Sequence, residues 1–463
     1  MALKGKVKGL IFLTILAICW ACEPFDEQII TSGDARLNFS QDSVRFDTLF
    51  TSVGSISRRF KVYNPNENAV SIAQIALGKG QDSPYRISVN GERGYSFEDQ
   101  LLFGNDSLLI LVDITIDPRD ETLPFLVKDS VVFTTNKNLQ DVKLEAFGQD
   151  AIFLGNEILT CNDTWTAQKP YVLFGPVLVD SLCTLTIEKG AQIYADNGAA
   201  LFIQGNLRVQ GDSANTVVFR NSRLDEGFDN APGQWGGLIF LEGSRDNHIE
   251  YASIRNSVVG VNLTTYDEDT IPDLIMRQVV IENISLSGIL TLDSDVYAEN
   301  TLVNTCGEFL IANLGGGNYQ YYHCTFANYN YLFSREVPAV VFSDNGLANS
   351  GENIVNPLNV VLENSIVWGR GFNGDEVVID STAGEPKSFR LSHNLIKAQG
   401  EIFEGNDNLL NTEPGFADPI RYLFQPDTLS PLINNGIESD IIIDLNGNPR
   451  DAMPDIGAYE YNN

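Results

Sequence analysis

Two kinds of alternation between apolar and polar residues divide the chain. Between residues 34 and 150 the alternating runs are short: LNF (37–39), VRFDTLF (44–50), RRFKVYN (58–64), VSIAQI (70–75), YRISV (85–89), SLLILVDITI (107–116), DSVVFTT (129–135) and VKLEAF (142–147). Turn signals such as Asn64-Pro65, Asn90-Gly91 and Gly104-Asn105 separate them. About eight short strands in ~115 residues, with no helical periodicity, predict an immunoglobulin-like β-sandwich. Such a domain serves as a spacer or a binding module, and nothing in these runs looks catalytic.

From residue 151 the alternation acquires a period. Trp165, Ile187 and Val209 lie 22 residues apart, as do Asp163, Leu185 and Leu207, and the same interval links Cys161 to Cys183 and Val179 to Leu201. Self-similarity at this spacing, built from strands with no helix between them, predicts a solenoid, and the leucine-rich consensus is absent. Leu185, Ile187, Leu207 and Val209 should point inward and stack on equivalents one rung away, with Thr184, Thr186 and Arg208 pointing out. A second signature is an apolar residue, any residue, then Asn: Phe219-Arg-Asn221, Ile254-Arg-Asn256, Ile281-Glu-Asn283, Leu302-Val-Asn304 and Phe326-Ala-Asn328. Asn tolerates the left-handed backbone of a sharp corner and can form a side-chain ladder along the axis. The fold expected is all-β: the sandwich followed by a right-handed parallel β-helix, its hand taken from the general preference of parallel crossovers. At ~4.8 Å per rung and roughly 20–27 residues each, residues 151–463 would make about 12 rungs.

The N-terminus carries Lys4, Lys6 and Lys8, an apolar run from Leu10 to Ala21, then Cys22 and EPFDE. That apolar run is shorter than the ~20 residues needed to span a bilayer and reads as a secretory signal over residues 1–21, followed by a polar tether, 22–33. Ala21-Cys22 resembles a bacterial lipoprotein cleavage site, which predicts lipidation at Cys22. Loss of three lysines takes the formal charge from −31 to −34. So negative a chain argues against nucleic-acid partners, whose phosphates need Lys and Arg, and against adsorption to anionic lipid. It also repels acidic polysaccharides unless a divalent cation bridges the two.

The run TCNDTWTAQKPYVLFGPVLVDSLCTLTIEKGAQIY, then GQWGGLIFLEG (233–243), resembles the first rungs of parallel β-helix surface lipoproteins of Bacteroidota, with a pectate-lyase-like solenoid. SPLINNG (430–436), DLNGNPR (444–450) and PDIGAYEY (454–461) are similar to the last rung and C-terminal cap of the same group. The resemblance implies export to the cell outer membrane and a surface-exposed, lipid-anchored protein, with Glu23, Asp26 and Glu27 as the export signal. It also implies O-glycans at some of Ser43, Thr48, Ser107, Ser130, Ser181, Thr270, Ser381 and Thr428, where Asp precedes Ser or Thr. It carries over no activity.

Candidate chemistry is sparse. A calcium-dependent lyase needs stacked carboxylates and a Lys or Arg base, and a hydrolase needs two or three clustered carboxylates. The residues between the inward apolar and the Asn, namely Arg220, Arg255, Glu282, Val303 and Ala327, form a chemically mixed row rather than a carboxylate ladder. Acidic loops at Asp225, Glu226 and Asp229, and at Asp267, Glu268, Asp269 and Asp273, are candidate calcium or ligand loops, with Arg255 and Arg277 nearby, although none matches an EF-hand. The alternative is a solvated acidic loop. His248, His323 and His393 fall in separate rungs and read as ordinary rung positions. Trp165, Trp235, Trp368, Tyr319, Tyr321, Tyr322, Tyr329 and Tyr331 offer stacking faces for sugars, but in a solenoid such residues more often fill the core. Four body cysteines allow three pairings. Cys161 and Cys183, one period apart, make the expected disulfide, and Cys306 and Cys324 stay open.

These readings favour non-catalytic adhesion or glycan binding, with polysaccharide or host glycan as partner. The first alternative is a polysaccharide lyase or glycoside hydrolase; the second is a structural scaffold carrying O-glycans. No metal ligands or catalytic residues are assigned, and calcium is the one candidate cofactor.

Overall fold

The structure, a computed structural model, describes residues 28–265, 271–329, 335–348, 350–381 and 386–462. It forms two compact units that meet in sequence at Gln149 and Asp150. Cys22, Asp267, Glu268, Asp269, Thr270 and Tyr331 lie outside the described residues. No described helix is long and apolar enough to cross a membrane.

In the first unit two sheets enclose one apolar core. One sheet runs Ile29–Ile30, Ala69–Leu77, Phe125–Thr135, Asn138–Gln149, Ser43–Phe50, with Ser96–Leu102 also pairing Ala69–Leu77. The other runs Asn38–Phe39, Arg58–Tyr63, Ser107–Ile114, Tyr85–Val89, Glu92–Gly94. Strict alternation puts Tyr85, Ile87 and Val89 inward from one strand and Ile110, Val112 and Ile114 from its neighbour, where they meet Ile72, Ile75, Val131, Phe133 and Leu144. Each run read from the sequence falls in a strand. Within the stretch read as a polar tether, 22–33, the apolar pair Ile29-Ile30 adds a parallel edge strand beside Ala69-Val70.

The second unit is a parallel β-helix. A seventeen-stranded and a nine-stranded sheet, both wholly parallel, wind around one core. The larger sheet has two halves, a first face and a second face, and the smaller sheet is the third face. Ile187 pairs with Val209, and the stack continues through Ile249, Met276, Ala298, Tyr321, Leu362 and Leu391. The Tyr321 ring packs edge-on to Phe326, 5.4 Å between centroids, within this core. On the third face Val179 pairs with Ile203 rather than Leu201, because the turn before that strand, residues 196–199, is two residues longer than its predecessor, 174–175. Among the described residues the second face stacks eleven strand levels and the third face nine, against the expected figure of about 12 rungs, the third face being the one that the longer loops interrupt.

The corners differ from the expected ones. Asn256 and Asn283 are left-handed, with φ of 65° and 59°. On the next rung Ile281 pairs with Val303 and Glu282 with Asn304, so Val303 is the inward residue and Thr305, φ 51°, takes the corner. The Leu302-Val-Asn304 motif is therefore one residue out of register, and Val303 is a core residue rather than an outward one. Nor do these Asn side chains form a ladder: Asn221 and Asn256 donate to the Phe228, Asp229 and Ala231 carbonyls, fastening a loop. A second corner, between the first and second faces, runs through Tyr251, Gln278, Asn300, His323, Asn364 and His393, all with φ between 46° and 53°.

The C-terminal segment, expected as a last rung and cap, covers a flank. Beyond the first rungs the outward residues of the second face turn apolar (Leu302, Ala327, Ile366, Trp368 and Leu395), and Phe416, Phe424, Leu432, Ile456 and Tyr459 bury them. Polar ties fix this segment: Tyr422 Oη donates to Asn283, Asn300 Nδ2 to the Ile443 carbonyl, and the Ala458 N–H to Thr325 Oγ1.

Candidate functional site

With the second face partly covered, the outer side of the first face presents the densest chemistry. Its strands project every second residue outward, and parallel register stacks those residues into columns about 4.8 Å apart per rung. The column beside the left-handed corner reads Glu250, Arg277, Glu299, Tyr322, Glu363, Ser392. The next column includes Arg208, His248, Tyr297, Gln320 and Arg390.

Arg277 is shared, 3.2 Å from Glu250 and 3.1 Å from Glu299. Tyr297 Oη donates to Glu299 at 2.5 Å, and burial with the Glu299 charge holds that phenol far above its usual pKa. The Tyr297 and Tyr322 rings lie 5.7 Å apart. Glu363 accepts from Ser392 Oγ at 3.1 Å, while Arg390 donates to Tyr322 Oη at 3.0 Å and stands 3.7 Å from Glu363. His248 faces Asp246 at 3.2 Å.

A polar ladder borders the face. Asp273 accepts from the Asp295 N–H, Asp295 from the N–H and Nδ2 of Asn318, and Asn318 Oδ1 from Asn359. Beside it, burial and the Asp295 charge raise the Asp293 carboxyl to about 6, against the opposing hydrogen bond from Asn356 Nδ2.

The residues named from sequence are distributed otherwise. Cys161 and Cys183 form the disulfide, whereas Cys306 and Cys324 are buried in the core outside that bond. Asp225 receives Arg223 at 2.6 Å, and Asp229 receives Arg220 at 2.8 Å. Arg255 pairs with Glu282 at 2.9 Å. The acidic loop thus folds onto its own arginines, and the Glu226 side chain lies outside the described residues. Among the described residues no group of three or more His, Cys, Asp or Glu is placed to hold a metal ion. Trp165, Trp235, Tyr319 and Tyr321 fill the core, and Trp368 and Tyr329 are buried under the C-terminal segment. Tyr322 alone of its cluster faces outward among the acidic residues.

The glutamate column escaped sequence reading because the Asn motif registers only the second face. A usable signal was present: Glu299-Asn300 and Glu363-Asn364 each place an outward Glu before a left-handed Asn.

A family model described as a pectate-lyase-like β-helix domain matches residues 157–267. Among solved structures, the catalytic unit of a GH87 α-1,3-glucanase from Streptomyces thermodiastaticus is 10% identical with a TM-score of 0.31, the match covering 73% of each chain. A family 123 glycoside hydrolase from Clostridium perfringens is 8% identical with a TM-score of 0.18, over 24% of this chain and 26% of that enzyme. A PapD-like domain of human CEP192 is 14% identical with a TM-score of 0.17, over 28% of this chain and 91% of that domain. No curated protein matches.

Proposed function

We propose that this chain is a carbohydrate-active β-helix protein, binding a polysaccharide across the outer side of the first face and hydrolysing it with Glu299 and Glu363. One observation carries the proposal: two carboxylates stand in one column, two rungs apart, with Tyr322 between them. Two rungs are ~9.6 Å, just beyond the ~6.5–9.5 Å separation with which inverting glycosidases admit water between acid and base, and far wider than the ~5–5.5 Å of retaining ones. Tyr322 and Tyr297 give the sugar ring apolar faces. Glu299, oriented by Arg277 and Tyr297, activates the water. Glu363 delivers the proton to the leaving oxygen. The matched family's description supports the carbohydrate reading in general terms. A lyase is disfavoured by the bridging of Arg277, the face's central cation, which is engaged by two glutamates and so poorly disposed as a base. Lipidation at Cys22 would hold the protein at the outer-membrane surface, within reach of extracellular polymers.

The test is a panel of neutral and acidic polysaccharides assayed for new reducing and unsaturated ends, with and without calcium. Hydrolysis predicts new reducing ends without unsaturation, reduced at least ~100-fold in Glu299→Gln and in Glu363→Gln. Unsaturated ends would instead establish a lyase. Non-catalytic binding is the second reading, favoured by the Glu250-Arg277-Glu299 ion triad, which leaves one of the two carboxylates already neutralised. Binding without products, weakened by Tyr322→Ala, would select it.

A further inference from the structure

The sandwich carries a site of opposite character. Residues 34–149 hold 12 Lys and Arg against 16 Asp and Glu, whereas residues 150–463 hold 15 against 42. Four of those twelve cations, Lys79, Arg86, Arg93 and Arg119, line one groove of about 770 Å³ at an end of the first unit, between the 79–84 and 115–119 connections. This volume suits one or two sugar units by the ~300–1,000 Å³ typical of small-ligand sites.

The groove is built around Arg86. Its guanidinium lies 3.7 Å over the Tyr95 ring, and Nη1 donates to the Ser83 and Tyr85 carbonyls. Stacking and two carbonyl acceptors fix the plane of the fork, so little freedom is lost when a second oxyanion approaches. Across its strand pair stands Asp113, but that carboxylate is ion-paired with Arg93. Asp129, below Lys79, accepts from the Ser83 hydroxyl and from the Lys79 and Ser130 N–H groups. Arg119 is held 4.2 Å over Phe125. Among the described residues neither Lys79 nor Arg86 has a carboxylate within ion-pair distance. Asp82 and Asp117 also line the groove, both exposed.

We propose that this groove binds the oxyanion of an acidic sugar, a uronate carboxylate or a sulfate ester, through Lys79 and Arg86, with the exposed Thr115 available to a neighbouring hydroxyl. Charge-assisted contacts of this kind need a fixed fork and a compact second cation, and the groove supplies both. The proposal does not rest on hydrolysis at the first face.

Titration calorimetry of the full chain tests it, using uronate, sulfated and neutral oligosaccharides of equal length in a Glu299→Gln background as well as in the parent. The expected result is binding of one or both acidic oligosaccharides, weakened at least ~10-fold in the Lys79→Gln/Arg86→Gln variant. The two acidic arms tell carboxylate from sulfate. Lys128→Gln/Lys143→Gln, which removes two cations elsewhere on the sandwich, should leave binding unchanged. Should Arg86→Gln fail to fold, Lys79→Gln alone carries the same expectation. No binding by the parent, binding indifferent to the groove variants, or equal loss in the Lys128/Lys143 control would overturn the proposal.

Discussion

His323 shows what a single rung position can hold. It occupies the left-handed corner in register with Asn364, fully buried, with Nε2 2.9 Å from Asn364 Nδ2 and 3.1 Å from Ser439 Oγ. Burial, then the Arg450 charge, push its pKa well below 6.5. A base held neutral in the fold but free to protonate when unfolded makes the unfolded state bind more protons below its own pKa. Stability due to His323 is therefore present above pH ~6.5 and lost as pH falls below it. Asp293 acts with the opposite sign: its carboxyl, raised to about 6, favours the fold at low pH, and that gain is lost as pH rises from its ordinary value, 3.8, through 6. The His323 contribution is isolated by comparison with His323→Asn, a residue that neighbouring rungs already place at this corner. Urea midpoints between pH 7 and 5 should fall more steeply in the parent than in the variant, and parallel slopes would refute this. At Ile249, in the middle of the inward stack, substitution by Ala should cost about 2–5 kcal/mol in a denaturant titration, since the rungs above and below cannot collapse into the gap.

At the scale of elements, two ties secure the β-helix. The disulfide closes a loop of 22 residues between adjacent early rungs, and loop-closure entropy assigns it about 3 kcal/mol. Replacing both cysteines by Ala should lower the unfolding midpoint of the second unit and leave the sandwich transition unmoved. Further along, Arg335 meets Glu376 in a buried bidentate pair, 2.6 and 2.7 Å, with Lys397 at 3.6 Å. Removing one partner strands a charge, so Arg335→Met should cost about 3–5 kcal/mol, while Arg335→Met with Glu376→Leu should recover most of it. Strand existence and inward stacking at Ile187 and Val209 were legible in the sequence because alternation and the 22-residue period are properties of the backbone pitch. The first-face column was not. Its members are separated by unequal intervals, 41 residues between Tyr322 and Glu363 for example, because a hairpin, Asn345–Leu347 with Asn353–Val355, interrupts the winding. The flank covering was hidden for a different reason: Leu302, Ile366 and Trp368 are apolar on the side that alternation assigns to solvent, and only the returning chain explains them.

Over the whole molecule, charge is partitioned. The second unit's excess of 27 acidic residues over basic ones, from the counts of 42 and 15, sets up a negative field around the first face. Such a field raises the cost of bringing a polyanion to that face and leaves a neutral polymer unaffected. The substrate of the first face is accordingly predicted to be a neutral polysaccharide, with rates on neutral chains insensitive to salt and those on acidic chains rising with it. Rates higher on a polyuronate at low salt would contradict this. The central claim is that Glu299 and Glu363 act from two rungs apart with a water between them. Proton NMR of the first sugar anomer released from a susceptible polysaccharide tests it most directly: the account predicts inverted configuration at the cleaved centre, and retention would contradict it.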